Sequence, residues 1–231
     1  MRKKVVVLTG AGVSAESGIS TFRDAGGLWE NHDIMEVASL DGWNKNYELV
    51  LEFYNKRRRQ LKDVQPNPAH YALFKLEEKF DVKIITQNVD DLHERAGSKN
   101  ILHLHGELIK AKSSTHQECV YEIGYNDIKP GDLCDKGSQL RPHIVWFGEA
   151  VPLMSDAVEI TSNADIFIVV GTSLLVYPAA SLIDYAPSKA IKYIIDPVKP
   201  ALGNLYRYVK FIEEKASIGT PIIVESLLKS A

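Results

Sequence analysis

The sequence predicts an α/β fold built on a doubly wound parallel sheet. Five short runs rich in apolar and β-branched residues recur along the chain, at residues 5–8, 82–86, 144–146, 166–170 and 192–195. Continuous apolar runs of this length are typical of strands that are buried on both faces. Helical patterns separate the runs, and this alternation is typical of a Rossmann-like sheet covered by helices on both sides.

The uneven spacing of these runs predicts a small second module made from two insertions. Residues 24–76 are too many for one crossover and contain amphipathic helical patterns, among them residues 47–61. Residues 106–141 form a polar stretch rich in glycine, serine and lysine. The core would then comprise residues 1–23, 77–105 and 142–231, within a single domain spanning residues 1–231. We expect the functional site in the cleft between core and module.

The composition excludes several classes of protein. The chain has 231 residues, 45% of them hydrophobic and 25% charged, and a net charge of −3, which is ordinary for a globular protein and unsuited to nucleic acid. Its apolar runs are too short for a membrane span or a signal peptide. Because Cys119 and Cys134 are its only cysteines, we expect no disulfide framework. We therefore predict a cytoplasmic protein without nucleic-acid or membrane partners.

The segment directly after the first predicted strand has the pattern of a dinucleotide-binding loop. Gly10 permits a tight turn, Gly12 lets the backbone approach a phosphate, and a following helix N-terminus would offer free N–H groups. The third glycine is displaced to Gly18, and the acidic residue that dehydrogenases carry about 20 residues further on is missing. The loop therefore predicts a bound dinucleotide but argues against an ordinary oxidoreductase.

Four further motifs follow this loop along the chain. They are Thr-Phe-Arg-Asp-Ala-Gly-Gly-Leu-Trp at residues 21–29, Thr-Gln-Asn-Val-Asp-Asp-Leu-His at 86–93, Leu-His-Gly at 104–106 and Gly-Thr-Ser at 171–173. Together with the glycine loop they closely resemble the motifs of the sirtuins, which are NAD-dependent protein lysine deacylases. The resemblance extends from Gly10 to about Pro221. It implies that NAD is consumed as a co-substrate, with free lysine, nicotinamide and O-acyl-ADP-ribose as products.

The resemblance also implies which residues bind NAD. The segment that ends in Trp29 would cover the dinucleotide, and Arg23 can counter phosphate charge with a bidentate fork. Gln87, Asn88 and Asp90 follow a strand's carboxyl end, where their amide and carboxylate groups suit ribose hydroxyls and the nicotinamide carboxamide. The expected NAD-binding residues are Gly10, Ala11, Gly12, Ala15, Thr21, Phe22, Arg23, Trp29, Gln87, Asn88, Asp90, Gly171, Thr172, Ser173, Asp196 and Ala216.

Among the seven histidines, His105 is the expected general base. Its Leu-His-Gly context matches the family motif, and a near-neutral pKa lets an imidazole take a proton from a ribose hydroxyl. We assign catalytic roles to His105, Asn88 and Asp90. His103, two residues away on an extended segment, is the second candidate for the base. We interpret His70 and His93 as structural or supporting residues.

Two segments predict how an acylated lysine would bind. Val145, Phe147, Gly148 and Glu149 belong to a stretch that resembles the family segment pairing with a peptide strand. Tyr54 and Arg57, at i and i+3 of one helix, share a face and can together hold a carboxylate. With the small Ala15, this pair resembles the class of sirtuins that removes succinyl and malonyl groups. Arg58 and Arg59 are interpreted as part of a solvated basic face.

The second insertion departs from the family pattern of two Cys-x-x-Cys pairs that bind structural zinc. Cys119 and Cys134 remain, His116 stands three residues before the first, and Gly137 occupies the place of an expected ligand. A zinc site built from His116, Cys119, Cys134 and Asp135 is conceivable, since four ligands are required. We expect instead a zinc-ribbon-like lobe without zinc and therefore no metal ligands.

Three rival functions stay open on sequence grounds. An NAD dehydrogenase would leave the Gln-Asn-x-Asp and Leu-His-Gly segments unexplained. An ADP-ribosyltransferase or NAD glycohydrolase on the same fold would use the same NAD-binding residues, but it would not need Tyr54 and Arg57. A non-enzymatic NAD sensor would have no use for the base His105.

Overall fold

The computed structural model describes residues 2–19, 28–29, 32–200 and 209–230 and has an α/β architecture. Its strands are β1 (Lys4–Thr9), β2 (Leu28–Trp29), β3 (His32–Asp33), β4 (Asp81–Thr86), β5 (Ile101–His103), β6 (Gly106–Ser113), β7 (Val120–Glu122), β8 (Leu140–Ile144), β9 (Ile166–Val170), β10 (Ile191–Ile195) and β11 (Val209–Ile212). Its α-helices are α1 (Ile34–Val37), α2 (Leu40–Lys45), α3 (Tyr47–Asp63), α4 (Pro68–Lys75), α5 (Leu92–Ala96), α6 (Met154–Ser162), α7 (Leu182–Tyr185) and α8 (Ala216–Lys229). None of the helices in these ranges is long and apolar enough to cross a bilayer.

Six strands form one parallel sheet in the order β11-β10-β9-β1-β4-β5. Strand β1 is central and pairs with β4 on one side and β9 on the other. The chain therefore leaves β1 in one direction and later returns to its opposite side, which creates the topological switch point of a doubly wound sheet. The predicted fold class is confirmed.

Both faces of the sheet are buried, which explains the continuous apolar runs. Val5 and Val7 of β1 pack in a cluster with Leu73 of α4 and with side chains of α8. The alternate residues of β1 face a second cluster that includes Ala157 of α6 and Leu182 of α7. Alternation along a strand sends successive side chains to opposite faces, so each face needs its own apolar set. The predicted strands at residues 5–8, 82–86, 166–170 and 192–195 are confirmed as parts of β1, β4, β9 and β10.

The prediction that residues 144–146 form a strand of the parallel sheet is wrong. Strand β8 ends at Ile144 and pairs antiparallel with β6, in a separate sheet of order β7-β6-β8. Ile144 and Trp146 are buried instead in a third hydrophobic cluster, together with side chains of α3. An apolar run shows that a segment is buried but not which core buries it.

Helix α3 carries two of the candidate site residues and was predicted over residues 47–61. It begins after Asn46, whose side-chain oxygen accepts a hydrogen bond from the Leu49 N–H at 3.1 Å, and it continues to Asp63. Such a cap satisfies one of the free N–H groups at a helix start. The apolar face of α3 packs into the third cluster, so the helix is confirmed and extends two residues beyond its predicted end.

Helix α4 lies in the range predicted for the small module but packs elsewhere. Its residues Ala69 and Leu73 belong to the cluster that contains Val5 and Val7 of the parallel sheet. The residue boundaries proposed for core and module therefore stay a prediction.

Candidate active site

A cavity of about 840 Å³ lies at the carboxyl edge of the parallel sheet. The loops after β1, β4, β9 and β10 contribute to it, as expected for ligand sites in open parallel sheets. The predicted site residues that line it are Gly10, Ala11, Gly12, Ala15, Tyr54, Arg57, Gln87, Asn88, Asp90, His105, Val145, Phe147, Gly148, Glu149, Gly171, Thr172, Ser173, Asp196 and Ala216. Side chains from distant parts of the sequence thus share one cavity.

Four predicted NAD-binding residues cannot be placed in this cavity. Thr21, Phe22 and Arg23 lie outside the residues that the structure describes, and so does the side chain of Trp29. Their roles stay predictions.

The glycine loop packs closely against the loop that follows β9 and is hydrogen-bonded to it. The Gly12 N–H donates to the Gly171 carbonyl at 2.8 Å, and the Gly10 N–H donates to the Val170 carbonyl at 3.0 Å. A Cβ atom added to Gly12 would lie 2.8 Å from the Gly171 Cα, closer than two carbon atoms can approach. These glycines are therefore needed for loop-to-loop contact as well as for space around a phosphate.

The expected helix N-terminus after the glycine loop is not present in the described residues 11–19. Two three-residue 3₁₀ turns occupy this segment instead, at Ala11–Val13 and Ala15–Ser17. Tight 3₁₀ turns of this kind are common as connectors. The prediction of an α-helix in this segment is wrong. The segment therefore offers the backbone N–H groups of short turns and lacks the dipole of an α-helix.

Asn88 and Asp90 are joined through a serine that the sequence analysis did not single out. The Asn88 amide donates to the Ser14 Oγ at 3.2 Å, and the Ser14 hydroxyl hydrogen-bonds the Asp90 carboxylate. Burial raises the pKa of Asp90, although the hydrogen bonds from the Leu92 N–H and from Ser14 oppose this shift. The network fixes both side chains at the cavity wall. Gln87 is fixed separately, because its amide donates to the Thr172 hydroxyl at 3.2 Å.

His105 has a defined tautomer. Its Nδ1 lies 3.0 Å from the Gln87 carbonyl oxygen, which can only accept, so Nδ1 carries the proton and Nε2 keeps its lone pair. Burial lowers the pKa of His105, and the bond to Gln87 only partly opposes this. The side chain lines the cavity. A neutral imidazole with a lone pair on Nε2 is the form that a general base requires.

The second candidate for the base, His103, is not among the residues that line the cavity. It is buried, with Nδ1 3.1 Å from the Asn88 carbonyl oxygen and Nε2 2.8 Å from Glu94. His70 and His93 are also buried, and their ring centroids lie 4.9 Å apart. Burial lowers the pKa of His70 to about 4, which keeps this ring neutral.

Tyr54 and Arg57 are both buried on α3 and both line the cavity. The Trp146 Nε1–H donates to the Tyr54 hydroxyl oxygen at 3.0 Å and so orients the phenol. Burial raises the pKa of Tyr54, which keeps its hydroxyl protonated as a hydrogen-bond donor. The Arg57 guanidinium lies 5.7 Å from the Phe53 ring centroid. A cation and a hydroxyl therefore stand side by side in an otherwise largely apolar part of the cavity.

The neighbouring arginines divide between core and surface. Arg58 was interpreted as part of a solvated face, and this is wrong. It is fully buried, donates through Nε to the Leu108 carbonyl at 2.6 Å and through Nη1 to Asn55 at 2.7 Å, and burial lowers its pKa to about 10. Arg59 is on the surface, where it pairs with Glu52 and Asp127. Arg58 ties α3 to β6, while Arg59 touches only exposed carboxylates.

The segment after β8 forms the opposite wall. The Val145 N–H donates to the His105 carbonyl at 2.9 Å, and the exposed Phe147 stands beside Gly148, whose φ is +87°. The Glu149 carboxylate accepts from both terminal nitrogens of Arg141 at 2.9 Å and from the Trp146 N–H at 2.8 Å. Glu149 thus holds this segment in shape through contacts within the chain.

The loop after β10 and the start of α8 also line the cavity. Asp196 is buried and accepts from the Val198 N–H at 2.8 Å, and Ala216 begins α8. Glu16, which the sequence analysis did not single out, accepts from the Ser217 N–H at 3.0 Å and from its hydroxyl at 2.8 Å. This contact joins the glycine loop to α8 across 201 positions of sequence. A sequence pattern offers no sign of such a pairing.

The residues of the zinc-ribbon-like lobe do not fit a four-ligand metal site. Among the described residues, no group of three or more His, Cys, Asp or Glu side chains is arranged to hold a metal ion. The Cys134 thiol donates to the Ser113 hydroxyl at 3.4 Å, and the Asp135 N–H donates to the Tyr121 hydroxyl at 3.1 Å. Both cysteines are free thiols. The absence of zinc from the protein itself remains a prediction.

Comparisons with known proteins agree with this geometry. The model of the Sir2 family matches residues 10–178. The NAD-dependent protein deacylase of Helicobacter pylori is 55% identical over 229 residues, which are 99% of each chain. A crystal structure of a Sir2 homologue in complex with NAD superimposes with a TM-score of 0.87 at 39% identity, covering 99% of this chain and 91% of that one. A Sir2 bound to an acetylated peptide superimposes with a TM-score of 0.79 at 29% identity, covering 97% and 93%.

The sheet, the cavity at its carboxyl edge and the family match together place the chain among the NAD-dependent enzymes of the Sir2 class. The chain belongs to the Sir2 family, and the sirtuin resemblance noted from its motifs is confirmed. Like the curated relatives, it is an NAD-dependent protein deacylase.

Proposed function

We propose that this enzyme removes succinyl and malonyl groups, and also acetyl groups, from lysine side chains of proteins. The observation that carries the proposal is the buried pair Tyr54 and Arg57 in the cavity that also contains His105. The planar guanidinium fork presents N–H donors whose geometry suits a carboxylate. The tyrosine hydroxyl supplies a second donor beside it. Succinyl and malonyl groups end in such a carboxylate, whereas an acetyl group does not.

A small side chain on the glycine loop supports the proposal of a long acyl group. Ala15 lines the same cavity and carries only a methyl group. Its small side chain leaves space for an acyl group longer than acetyl. An acyl-lysine entering beside Phe147 and Gly148 as an added strand would point its acyl end toward α3.

The roles of the remaining residues follow from their surroundings. NAD, when bound, supplies the ribose carbon that accepts the acyl oxygen as nicotinamide leaves. In this proposal Asn88 and Asp90 hold the ribose and the carboxamide, and His105 takes a proton from a ribose hydroxyl through Nε2. Walls formed by the core and by the segment after β8 exclude water, which would otherwise hydrolyse NAD. Residues of the glycine loop, Gly171 to Ser173, Asp196 and Ala216 hold the rest of NAD.

An ADP-ribosyltransferase or NAD glycohydrolase is the alternative that the same NAD-binding residues would allow. It needs no acyl pocket, so the buried pair on α3 argues against it.

Two free cysteines and a near-neutral charge support a cytoplasmic setting and protein substrates, without a nucleic-acid or membrane partner.

The proposal is tested by incubating the enzyme with NAD and parallel peptides that carry succinyl-, malonyl- or acetyl-lysine, followed by mass spectrometry. Removal of succinyl and malonyl groups at rates at least equal to acetyl removal is expected. Acetyl removal alone would refute the acyl assignment. Nicotinamide release with all three peptides intact would favour the glycohydrolase.

A further inference from the structure

His103 is a buried histidine that faces two hydrogen-bond acceptors. Its Nδ1 lies 3.1 Å from the backbone carbonyl oxygen of Asn88, and its Nε2 lies 2.8 Å from the Glu94 carboxylate. Neither partner can donate when Glu94 is ionised. A neutral imidazole has only one N–H, so it satisfies one acceptor and sets a lone pair against the other. The doubly protonated imidazolium satisfies both.

We propose that His103 is a positioning residue that is held as an imidazolium and thereby fixes the loop carrying Asn88 and Asp90. The proposal rests on the NAD-binding role proposed for these two residues. His103 ends β5, which is paired to β4, and Glu94 belongs to α5, so the bridge runs from the sheet edge to the helix through the loop between them. When His103 loses one ring proton, it can no longer donate to both the Asn88 carbonyl and Glu94, and one of these two hydrogen bonds is lost.

A second histidine holds the same loop from the cavity side. His105 donates from Nδ1 to the carbonyl of Gln87, the residue next to Asn88. Two consecutive carbonyls of the loop are therefore held by two imidazoles from the same segment. His105 performs this task while neutral, whereas His103 needs the charged form to keep its second partner.

The charged groups around His103 support its protonated form. Glu94 of α5 and Glu107 of β6 both raise the pKa of His103. The charge of His103 also acts on Asp90 of the loop, and His93 of α5 is a neighbour of like charge when it is protonated. Burial is the largest single effect and would lower the pKa of His103, but the hydrogen bond and charge of Glu94, the charge of Glu107 and the hydrogen bond to the Asn88 carbonyl together raise it above its usual value. The charge of His103 in turn lowers the pKa of Asp90 against the effect of burial.

His103 should then limit NAD binding as pH rises, whereas His105 should limit turnover as pH falls. His103 has a raised pKa, so its support is complete at low pH and is lost as pH rises through that pKa. His105 has a lowered pKa and must be neutral, so its function is lost as pH falls. The alkaline limit on NAD affinity belongs to His103.

Nitrogen NMR of the histidine rings tests the protonation state directly. In the wild-type protein with ¹⁵N-labelled histidine, we expect both ring nitrogens of His103 to carry protons at pH 7. In Glu94→Gln the titration midpoint of His103 should move down by about one unit or more, the scale of one lost charge partner. A neutral His103 ring in the wild-type protein at pH 7 would overturn the proposal.

Calorimetric titration of NAD as a function of pH tests the consequence for the loop. NAD binding to the wild-type enzyme should weaken roughly threefold to tenfold, the scale of one hydrogen bond, as pH rises through the His103 midpoint. Glu94→Gln should show the same weakening at lower pH, and His103→Gln should show weak binding with no alkaline step. Glu225→Gln is the matched control, because Glu225 is exposed on α8 and pairs there with Lys229.

Both experiments are done without an acylated peptide. Their outcomes therefore test the role of His103 independently of the proposed acyl specificity. An alkaline step that stays at the wild-type pH in Glu94→Gln would contradict the role of His103, even if His103→Gln fails to fold. Wild-type protein that binds no NAD would instead refute the proposed NAD site, while the ring nitrogens would still report the state of His103.

Discussion

Single side chains decide the chemistry of this cavity, and His105 is the first of them. Replacing His105 with alanine should lower the deacylation rate by about 10²–10⁴-fold, the usual contribution of a general base. The NAD dissociation constant should rise by no more than about tenfold, the scale of the lost hydrogen bond to the Gln87 carbonyl, because the proposed base acts on a ribose hydroxyl after NAD has bound. Stopped assays with an acetyl-lysine peptide, together with NAD titration, measure both. Equal loss of binding and rate would mean that His105 mainly shapes the site.

The same residue predicts the acid limit of activity. Burial lowers the pKa of His105, so the neutral form persists below the usual pKa of a histidine. Activity should therefore fall only as pH drops below the usual value of 6.5. A pH profile of kcat/KM for NAD checks this, because it reports the pKa values of the free enzyme. An acid limit above neutrality would contradict the assignment of the base.

The acyl specificity is predicted to depend on two side chains of α3. The double variant Tyr54→Phe, Arg57→Met should lose desuccinylation by at least about tenfold for each charge-assisted hydrogen bond removed. Deacetylation should stay within a few-fold of wild type, because an acetyl group has no carboxylate. Arg59→Met is the matched control, since Arg59 lies two residues further on the same helix but pairs only with surface carboxylates. Equal loss of both activities in the double variant would refute the assignment.

At the scale of elements, the contact between the glycine loop and the loop after β9 holds the NAD side of the cavity together. Gly12→Ala would place a methyl group against backbone atoms of Gly171, which cannot move aside cheaply. We expect a loss of about 1–3 kcal/mol in stability, typical of overpacking, together with weak NAD binding.

Gly124→Ala is the control for this substitution. Gly124 has a φ of +57° and no atom near its Cβ position, so the change should cost only about 1–2 kcal/mol of backbone strain. NAD binding should remain at the wild-type level. Thermal unfolding and NAD titration of both variants make the comparison, and normal NAD binding by Gly12→Ala would contradict the tight packing of the two loops.

The elements also show what the sequence could and could not predict. Strands β1, β4, β9 and β10 were predicted because burial on both faces leaves a continuous apolar run. Strands β5 and β11 lie at the two edges of the sheet and are only partly buried, so neither gives a continuous apolar run. Residues 144–146 gave the pattern although they lie outside the parallel sheet, because the third hydrophobic cluster buries Ile144 and Trp146.

The site residues also divide into those that a sequence pattern could predict and those that it could not. Tyr54 and Arg57 could be paired from sequence because i and i+3 positions share one face of a helix. Gln87 and Asn88 could be found because they follow the end of a predicted strand, and His105 because its Leu-His-Gly context resembles the sirtuin motif. Ser14 and Glu16 could not, since their partners Asp90 and Ser217 are remote in sequence and hydroxyl or carboxylate groups in a loop have no distinctive spacing. The buried role of Arg58 was hidden by its two basic neighbours.

For the whole molecule, the chain is predicted to fold and act without a structural metal. Hydrogen bonds would take the place of metal ligands in the zinc-ribbon-like lobe, where the Cys134 N–H donates to the Ser138 carbonyl at 2.8 Å and the Thr115 hydroxyl donates to Ser138 at 2.7 Å. Prolonged dialysis against a chelator should leave the unfolding temperature and the deacylation rate unchanged. Elemental analysis of the purified protein should find far less than one zinc per chain. Stoichiometric zinc, or unfolding on chelation, would contradict the prediction.

The central claim is that the cavity transfers a carboxylate-bearing acyl group from lysine to the ADP-ribose part of NAD. One mass-spectrometric time course with NAD and a succinyl-lysine peptide tests it most directly. Free lysine peptide, nicotinamide and O-succinyl-ADP-ribose should appear in equal amounts, with one water consumed in each turnover. Plain ADP-ribose and nicotinamide beside an intact succinyl peptide would contradict the claim.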